Sequence, residues 1–248
     1  QADLDHLAPA KKQGEIETSM SVIRQKIVET KEAERKFVHT PKFAPAGQST
    51  QLIVGATPSS DRQILDLSER LYRRHRLKRV YYSAFSPIPD GDPNLPLRRP
   101  PLMREHRLYQ ADWLIRFYGF KSTELARTSD GNLELDVDPK VAWALANRAS
   151  FPVDVNAAPR ETLLRVPGFG VRTVERIIEL RRFRKLKLED LGKLHVSLAK
   201  TRYFIVAHGH NPYARRLDDG DLRSLIASPE PLQLQLFEAA KSAITGAV

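Results

Sequence analysis

Cysteine is absent from all 248 residues. That excludes disulfides, thiol nucleophiles and cysteine-ligated metals within this chain. No apolar run approaches the roughly 18 residues of a membrane-spanning helix, and the first residues lack the pattern of a secretory signal. Acidic residues are in deficit: 30 Asp and Glu stand against 40 Lys and Arg, a net charge of +10. A surplus of that size points to an anionic partner, nucleic acid ahead of a membrane. The rest is ordinary. An apolar share of 41% and a charged share of 28% are those of a globular protein, and the length allows one large domain or two modest ones. The chain begins at Gln1 rather than Met, which raises the expectation of a piece of a longer protein.

The front of the chain alternates strand and helix signals. Ser19 to Lys36 is polar with Val22, Ile23 and Ile27 on one side, a helical pattern. A Pro-rich connection, residues 37–48, follows. Thr50 to Ala56 (TQLIVGA) is a short β-branched apolar run, and Arg79 to Ile88 (RVYYSAFSPI) is another. Between them, Ser60 is a candidate N-cap for a helix with Ile64, Leu65, Leu67 and Leu71 at helical spacing. Strand, four-turn helix, strand is the pattern of a parallel βαβ unit.

From about Leu97 the texture is helical. Leu102 to Tyr118 reads as one long helix closed by Gly119, residues 121–137 as a variable excursion, and Asp138-Pro139 as an N-cap with proline in the first turn. On the long helix, Arg104, His106, Arg107 and Gln110 lie beside Leu108, Trp113 and Leu114. They suit either a nucleic-acid path or an amphipathic bridge whose Arg stems cover apolar surface, and the second is the simpler expectation. His106 has no clustered partners, and His208 and His210 sit among Gly, Asn and Pro, so no metal site is expected. The last forty residues, with HGHNP, DDGD and SPEP, read as loosely attached.

The stretch LLRVPGFGVRTVERIIELRRFRK, Leu163 to Lys185, predicts two helices joined by a tight turn. Asn156 and Pro159 are placed to start the first helix. Leu163, Leu164 and Val166 supply its apolar side, and Val174, Ile177 and Ile178 pack back from the second. Gly168 and Gly170 can take positive φ and let backbone approach a partner. Amides in the turn and at the next helix start suit a phosphate oxygen, with Arg165, Arg172 and Arg176 adding charge. Arg160 to Lys187 holds nine Lys or Arg against three Glu, a net +6. An ordinary αα-hairpin with solvated arginines is the bland alternative. Phe169 at the tip reads as a plug against the protein in preference to a base wedge.

This stretch resembles the helix-hairpin-helix motif over about Asn156 to Leu180. The resemblance implies sequence-independent contacts to phosphates of duplex DNA through Arg165, Val166, Pro167, Gly168, Phe169, Gly170, Val171, Arg172, Thr173 and Arg176. A weaker second copy is expected at Leu188 to Ile205, whose turn Leu194-His195-Val196-Ser197 lacks the PGxG glycines.

In the front half, AGQSTQLIVGATPSSD and RVYYSAF look like the fifth and sixth strands of radical S-adenosylmethionine (SAM) barrels. With PPLMREHRLYQADWLIRFYGF and the hairpin in the same order, residues 1–207 resemble bacterial radical SAM proteins described as putative DNA modification or repair proteins. The resemblance implies an α/β plus all-α chain in four parts. These are the C-terminal part of a partial TIM barrel (1–96), linking helices (97–149), a tandem helix-hairpin-helix domain (150–208) and a flexible tail (209–248). It implies SAM along Ile53, Val54 and Gly55, with Gln48, Thr50 and Gln51 nearby and Tyr81, Tyr82 and Ser83 on the substrate side. The family holds a [4Fe–4S] cluster through CxxxCxxC, and this chain has no cysteine. No cofactor is therefore ligated here, no catalytic residue or metal ligand is assigned, and the chain is expected to be inactive alone. Either the cysteines lie upstream or the chain is a catalytically dead homologue. A DNA-binding adaptor and an RNA-modifying enzyme are the other classes.

PLQLQLF, Pro231 to Phe237, resembles the QLxLF peptides that dock repair and replication proteins on the bacterial sliding clamp. Gln233, Leu234, Leu236 and Phe237 match. A cytoplasmic, nucleoid-associated protein with DNA as partner is the resulting expectation.

Overall fold

The computed structural model describes residues 2–37, 39–87, 93–209 and 211–227. The chain is α/β at the front and mainly helical behind. It forms two compact units that divide between Glu105 and His106.

The first unit carries α1 (Ala2–Leu7), α2 (Gln13–Lys36), β1 (Ser49–Val54), α3 (Asp61–His75) and β2 (Arg79–Ala84). Strands β1 and β2 pair in parallel, Ser49 opposite Arg79 through Val54 opposite Ala84. A capping box starts α3: the Gln63 amide donates to the Ser60 hydroxyl, and the Ser60 amide donates to Gln63 Oε1 at 2.9 Å. Ile64, Leu65 and Leu71 of α3 are buried with Val54, Val80 and Tyr82 of the strands. Alternation does the rest. One sheet face buries its apolar side chains, whereas Ile53 and Tyr81 on the other remain 41% and 46% exposed. At the strand exits, Arg104 donates to Asp61 at 2.7 Å and to the Ser59 carbonyl, and Glu105 accepts from the Ala84 amide.

The second unit takes in α4 (Leu102–Tyr118) from His106 onward, then α5 (Ser122–Leu125), α6 (Pro139–Ala146), β3 (Val153–Asp154), α7 (Arg160–Arg165), α8 (Val171–Leu180), α9 (Leu188–Lys193), α10 (Leu198–Thr201), β4 (Ile205–Val206) and α11 (Leu222–Ile226). Asp138 caps α6, accepting from the Lys140 and Val141 amides, with Pro139 in the first turn. A short parallel bridge, Val153 with Ile205 and Asp154 with Val206, ties the start of the α7–α8 hairpin to the end of the α9–α10 pair. Leu108, Leu114, Leu163, Phe169, Ile177 and Phe204 form the core.

Several boundaries differ from the sequence expectation. The division falls inside the first turn of α4, not at 96/97, and residues 106–149 are no separate linker. Leu108, Ala111 and Leu114 are buried, and Arg107 donates to the Leu135 carbonyl and to Gln110. The excursion at 121–137 buries Leu125, Leu133 and Val137. The tail is packed through residue 226: Leu217, Leu222 and Ile226 are buried, Arg148 holds the Leu217 and Asp219 carbonyls, and Arg223 pairs with Glu134 and Asp136. The Pro231–Phe237 peptide lies outside the described residues. Among the described residues no helix is long and apolar enough to cross a membrane.

Candidate nucleic-acid interface

The hairpin turn is a β-turn closed by the Phe169 amide on the Val166 carbonyl at 3.1 Å. Pro167 occupies its second position and Gly168, at φ +82°, its third, the arrangement of a type II turn. Only Gly168 needs glycine. Gly170 has φ −86° and serves as the N-cap of α8. A Cβ on Gly168 would lie 2.2 Å from Thr201 Oγ1, whereas one on Gly170 meets nothing closer than 3.8 Å.

Two of the turn's carbonyls are taken from behind. Thr201 Oγ1 donates to the Pro167 carbonyl at 2.8 Å, and Lys140 Nζ donates to the Phe169 carbonyl at 2.6 Å. Both side chains are buried. The amides have a different fate. Val171 N–H bonds the Tyr118 hydroxyl, while those of Gly168, Gly170, Arg172 and Thr173 meet no acceptor among the described residues. These four donors, three of them at the start of a ten-residue helix, are what the turn offers to a ligand. Phe169 is 0% exposed and plugs the core, so no wedge comes from it. Val166 and Pro167 are also buried, and their backbone is committed within the protein: the Val166 amide donates to the Leu163 carbonyl, and Pro167 has no N–H.

Lys140 adds a charge beneath the turn. Its ammonium lies 4.6 Å from the centre of the Tyr118 ring. Burial pushes its pKa down to about 7; Asp138 opposes this and Arg165 reinforces it. Burial likewise raises the Tyr118 phenol, against its bonds from Val171 and Trp113.

The arginines separate into two sets. Arg165 is spent inside the protein: it pairs with Glu124 at 2.8 Å, donates to the Gly119 carbonyl and stacks 3.9 Å from the Phe120 ring centre. Among the described residues it thus has partners of its own within the protein, unlike the other two arginines expected at the hairpin. Arg165→Ala should cost about 2 kcal/mol, since a partly buried pair and a cation–π contact go together; urea unfolding checks this. Arg181 holds the Val155 and Ala158 carbonyls, and Arg184 grips Asp190 with two bonds. By contrast, Arg172 and Arg176 are exposed one turn apart on α8 and meet no carboxylate among the described residues. Asn156 does not cap α7, which starts at Arg160. Its side-chain amide exchanges two bonds with the backbone of Leu186 and so straps the chain beyond α8 back to the start of the hairpin. The second pair turns through His195 at φ +60°.

In the first unit the SAM candidates scatter. Gln51 and Ile53 lie on the open sheet face. Thr50 and Val54 belong to the packed face, and Gln48 is buried, donating to the Met20 and His75 carbonyls. Gly55 takes φ +80° at the strand exit, where a Cβ would lie 2.7 Å from Pro100. Of the substrate-side residues, Tyr81 is open and Tyr82 is buried with its hydroxyl on Ser68. A cleft of about 650 Å³ lies elsewhere in this unit, lined by Arg24, Lys31, Lys42, Phe43, Arg76 and Lys78, and by none of these candidates. Among the described residues no three His, Asp or Glu gather as a metal site.

Sequence reasoning missed Lys140, Tyr118 and Thr201, whose partners in the hairpin turn lie at least 29 residues away. It also missed Phe183, although a lone aromatic inside RRFRK is a visible signal. Compared with known proteins, the chain matches no family model, no curated protein and no solved structure.

Proposed function

We propose that the second unit binds duplex DNA, and that the α7–α8 hairpin holds a backbone phosphate without reading sequence, as a helix-hairpin-helix does. One observation carries this reading: the Val166, Pro167 and Phe169 carbonyls are occupied from within while four amides and two unpaired arginines remain for an anion. Duplex DNA satisfies them, and the net charge of +10 draws it in.

Replacing Arg172 and Arg176 together by Ala should weaken duplex binding about tenfold at 0.1 M salt and lower the salt slope by about two. Fluorescence anisotropy against salt measures both, with the helical circular dichroism unchanged. Unaltered affinity and slope would sink the reading. A preference for DNA over A-form RNA separates it from the RNA-modifying alternative.

The first unit fits the C-terminal part of a radical SAM barrel in its parallel βαβ order and its one open sheet face. In that reading Gln51 and Ile53 face the cofactor side. When bound, SAM and its cluster would supply hydrogen abstraction from a base or sugar. The cluster does not fit the residues present, for want of any thiolate, and no step is assigned through it. A DNA-binding adaptor without chemistry is the second reading, favoured by that same absence of cysteine. Titration calorimetry with SAM distinguishes them, since an adaptor has no reason to bind it.

A further inference from the structure

Phe183 is 82% exposed and has no ring or cation partner among the described residues. It does not sit on a loose loop. Its amide donates to the Leu180 carbonyl at 3.1 Å, and that of Arg184 donates to the same carbonyl. Arg184 is then anchored on both oxygens of Asp190, at 3.2 and 2.8 Å, and Asp190 also accepts from the Lys187 amide. A rigid turn therefore presents the ring to solvent. Arg182 and Lys185 flank it, both exposed and without a carboxylate partner among the described residues.

The ring's position relates it to the hairpin. Helix α8 carries the open amides at its N-terminus, then Arg172 and Arg176, and Phe183 just past its C-terminus. At 1.5 Å per residue, Phe183 lies about 16 Å along the axis from Arg172. Whether the last turn is counted as α or 3₁₀, it falls within about 40° of Arg176 around the axis. Amides, arginines and ring thus form one track, its length roughly that of five stacked base pairs at ~3.4 Å each.

We propose that Phe183 is a base-stacking residue, and that this unit consequently favours DNA with an unpaired or unstacked base over a fully paired duplex. The proposal rests on the reading of the hairpin as a phosphate site. A nucleobase suits the ring better than a protein partner. Its neighbours along the chain are the exposed Arg182, Arg184 and Lys185, and every base offers a π-face to an aromatic held in a basic setting.

The test uses the whole chain and two probes: a duplex with a central unpaired 2-aminopurine, and the fully paired duplex of the same sequence. Phe183→Ala should lose roughly tenfold in affinity for the first and less than twofold for the second. It should also abolish the 2-aminopurine quenching that accompanies binding of the unaltered protein. Phe183→Trp should restore both. Circular dichroism confirms folding, which so exposed a ring hardly affects. If Phe183→Ala binds the unpaired probe as tightly as the unaltered protein, or loses equally on both probes, stacking is overturned. The Arg172/Arg176 double variant keeps the two readings apart: should it bind normally, the phosphate site itself falls; should it fail while Phe183→Ala is silent, only the stacking role falls.

Discussion

The stability of the protein should rise with pH between about 7 and 10, and Lys140→Met should flatten that rise. Lys140 is buried, with one hydrogen bond to the Phe169 carbonyl and the Tyr118 ring beside it. Burial first, and Arg165 second, lower its pKa from 10.5 to about 7, against the pull of Asp138. In the unfolded chain it titrates near its ordinary value, about 10.4. Between these values the unfolded state holds a proton that the folded state has released, so stability increases with pH. Below pH 7 both states are protonated and the folded state carries the full cost of the buried charge, about 5 kcal/mol for a shift of this size. The rise should end near pH 10. There the unfolded Tyr118 loses its proton before the folded one, whose pKa burial has raised, and the sign reverses. Urea midpoints at pH 6, 7.5 and 9 give the slope. Met leaves the Phe169 carbonyl without a donor and lowers the absolute level, so the slope is the quantity to compare. Equal slopes in the two proteins would show that Lys140 does not titrate in this range.

Gly168→Ala should destabilise by about 3 kcal/mol, and Gly170→Ala by no more than about 0.5. At φ +82° any side chain is strained by about 1–2 kcal/mol. The added Cβ would also sit 2.2 Å from Thr201 Oγ1 and displace the hydroxyl from the Pro167 carbonyl, leaving a buried acceptor unpaired at a further 1–2 kcal/mol. Gly170 has ordinary extended backbone and room for a methyl group. Thermal or urea unfolding separates the two. Equal costs would mean that the turn is not the one described. Thr201→Val provides a second check, since it removes the hydroxyl but leaves the glycine alone.

The hairpin, the βαβ order and the caps at Ser60 and Asp138 were legible in the linear sequence. Each depends on signals within about five residues: a Pro-Gly turn, an apolar stripe at helical spacing, a short polar side chain ahead of a helix. The charge balance and the want of thiolates were equally plain, since composition does not depend on folding. Tertiary structure decided which of similar residues are available. Arg165 and Arg172 look alike in sequence, yet one is consumed by Glu124 and Gly119, 41 and 46 residues away, while the other stays open. Phe169 and Phe183 both sit beside turns among arginines, yet one is the plug and the other faces solvent. Asn156 had the chemistry of a cap, but Leu186, 30 residues on, claimed its amide. Local preferences reach a turn or two along the chain. Burial and ion pairing are settled by whatever packing brings from far along it, so the frame was written locally and the inventory of free groups was not.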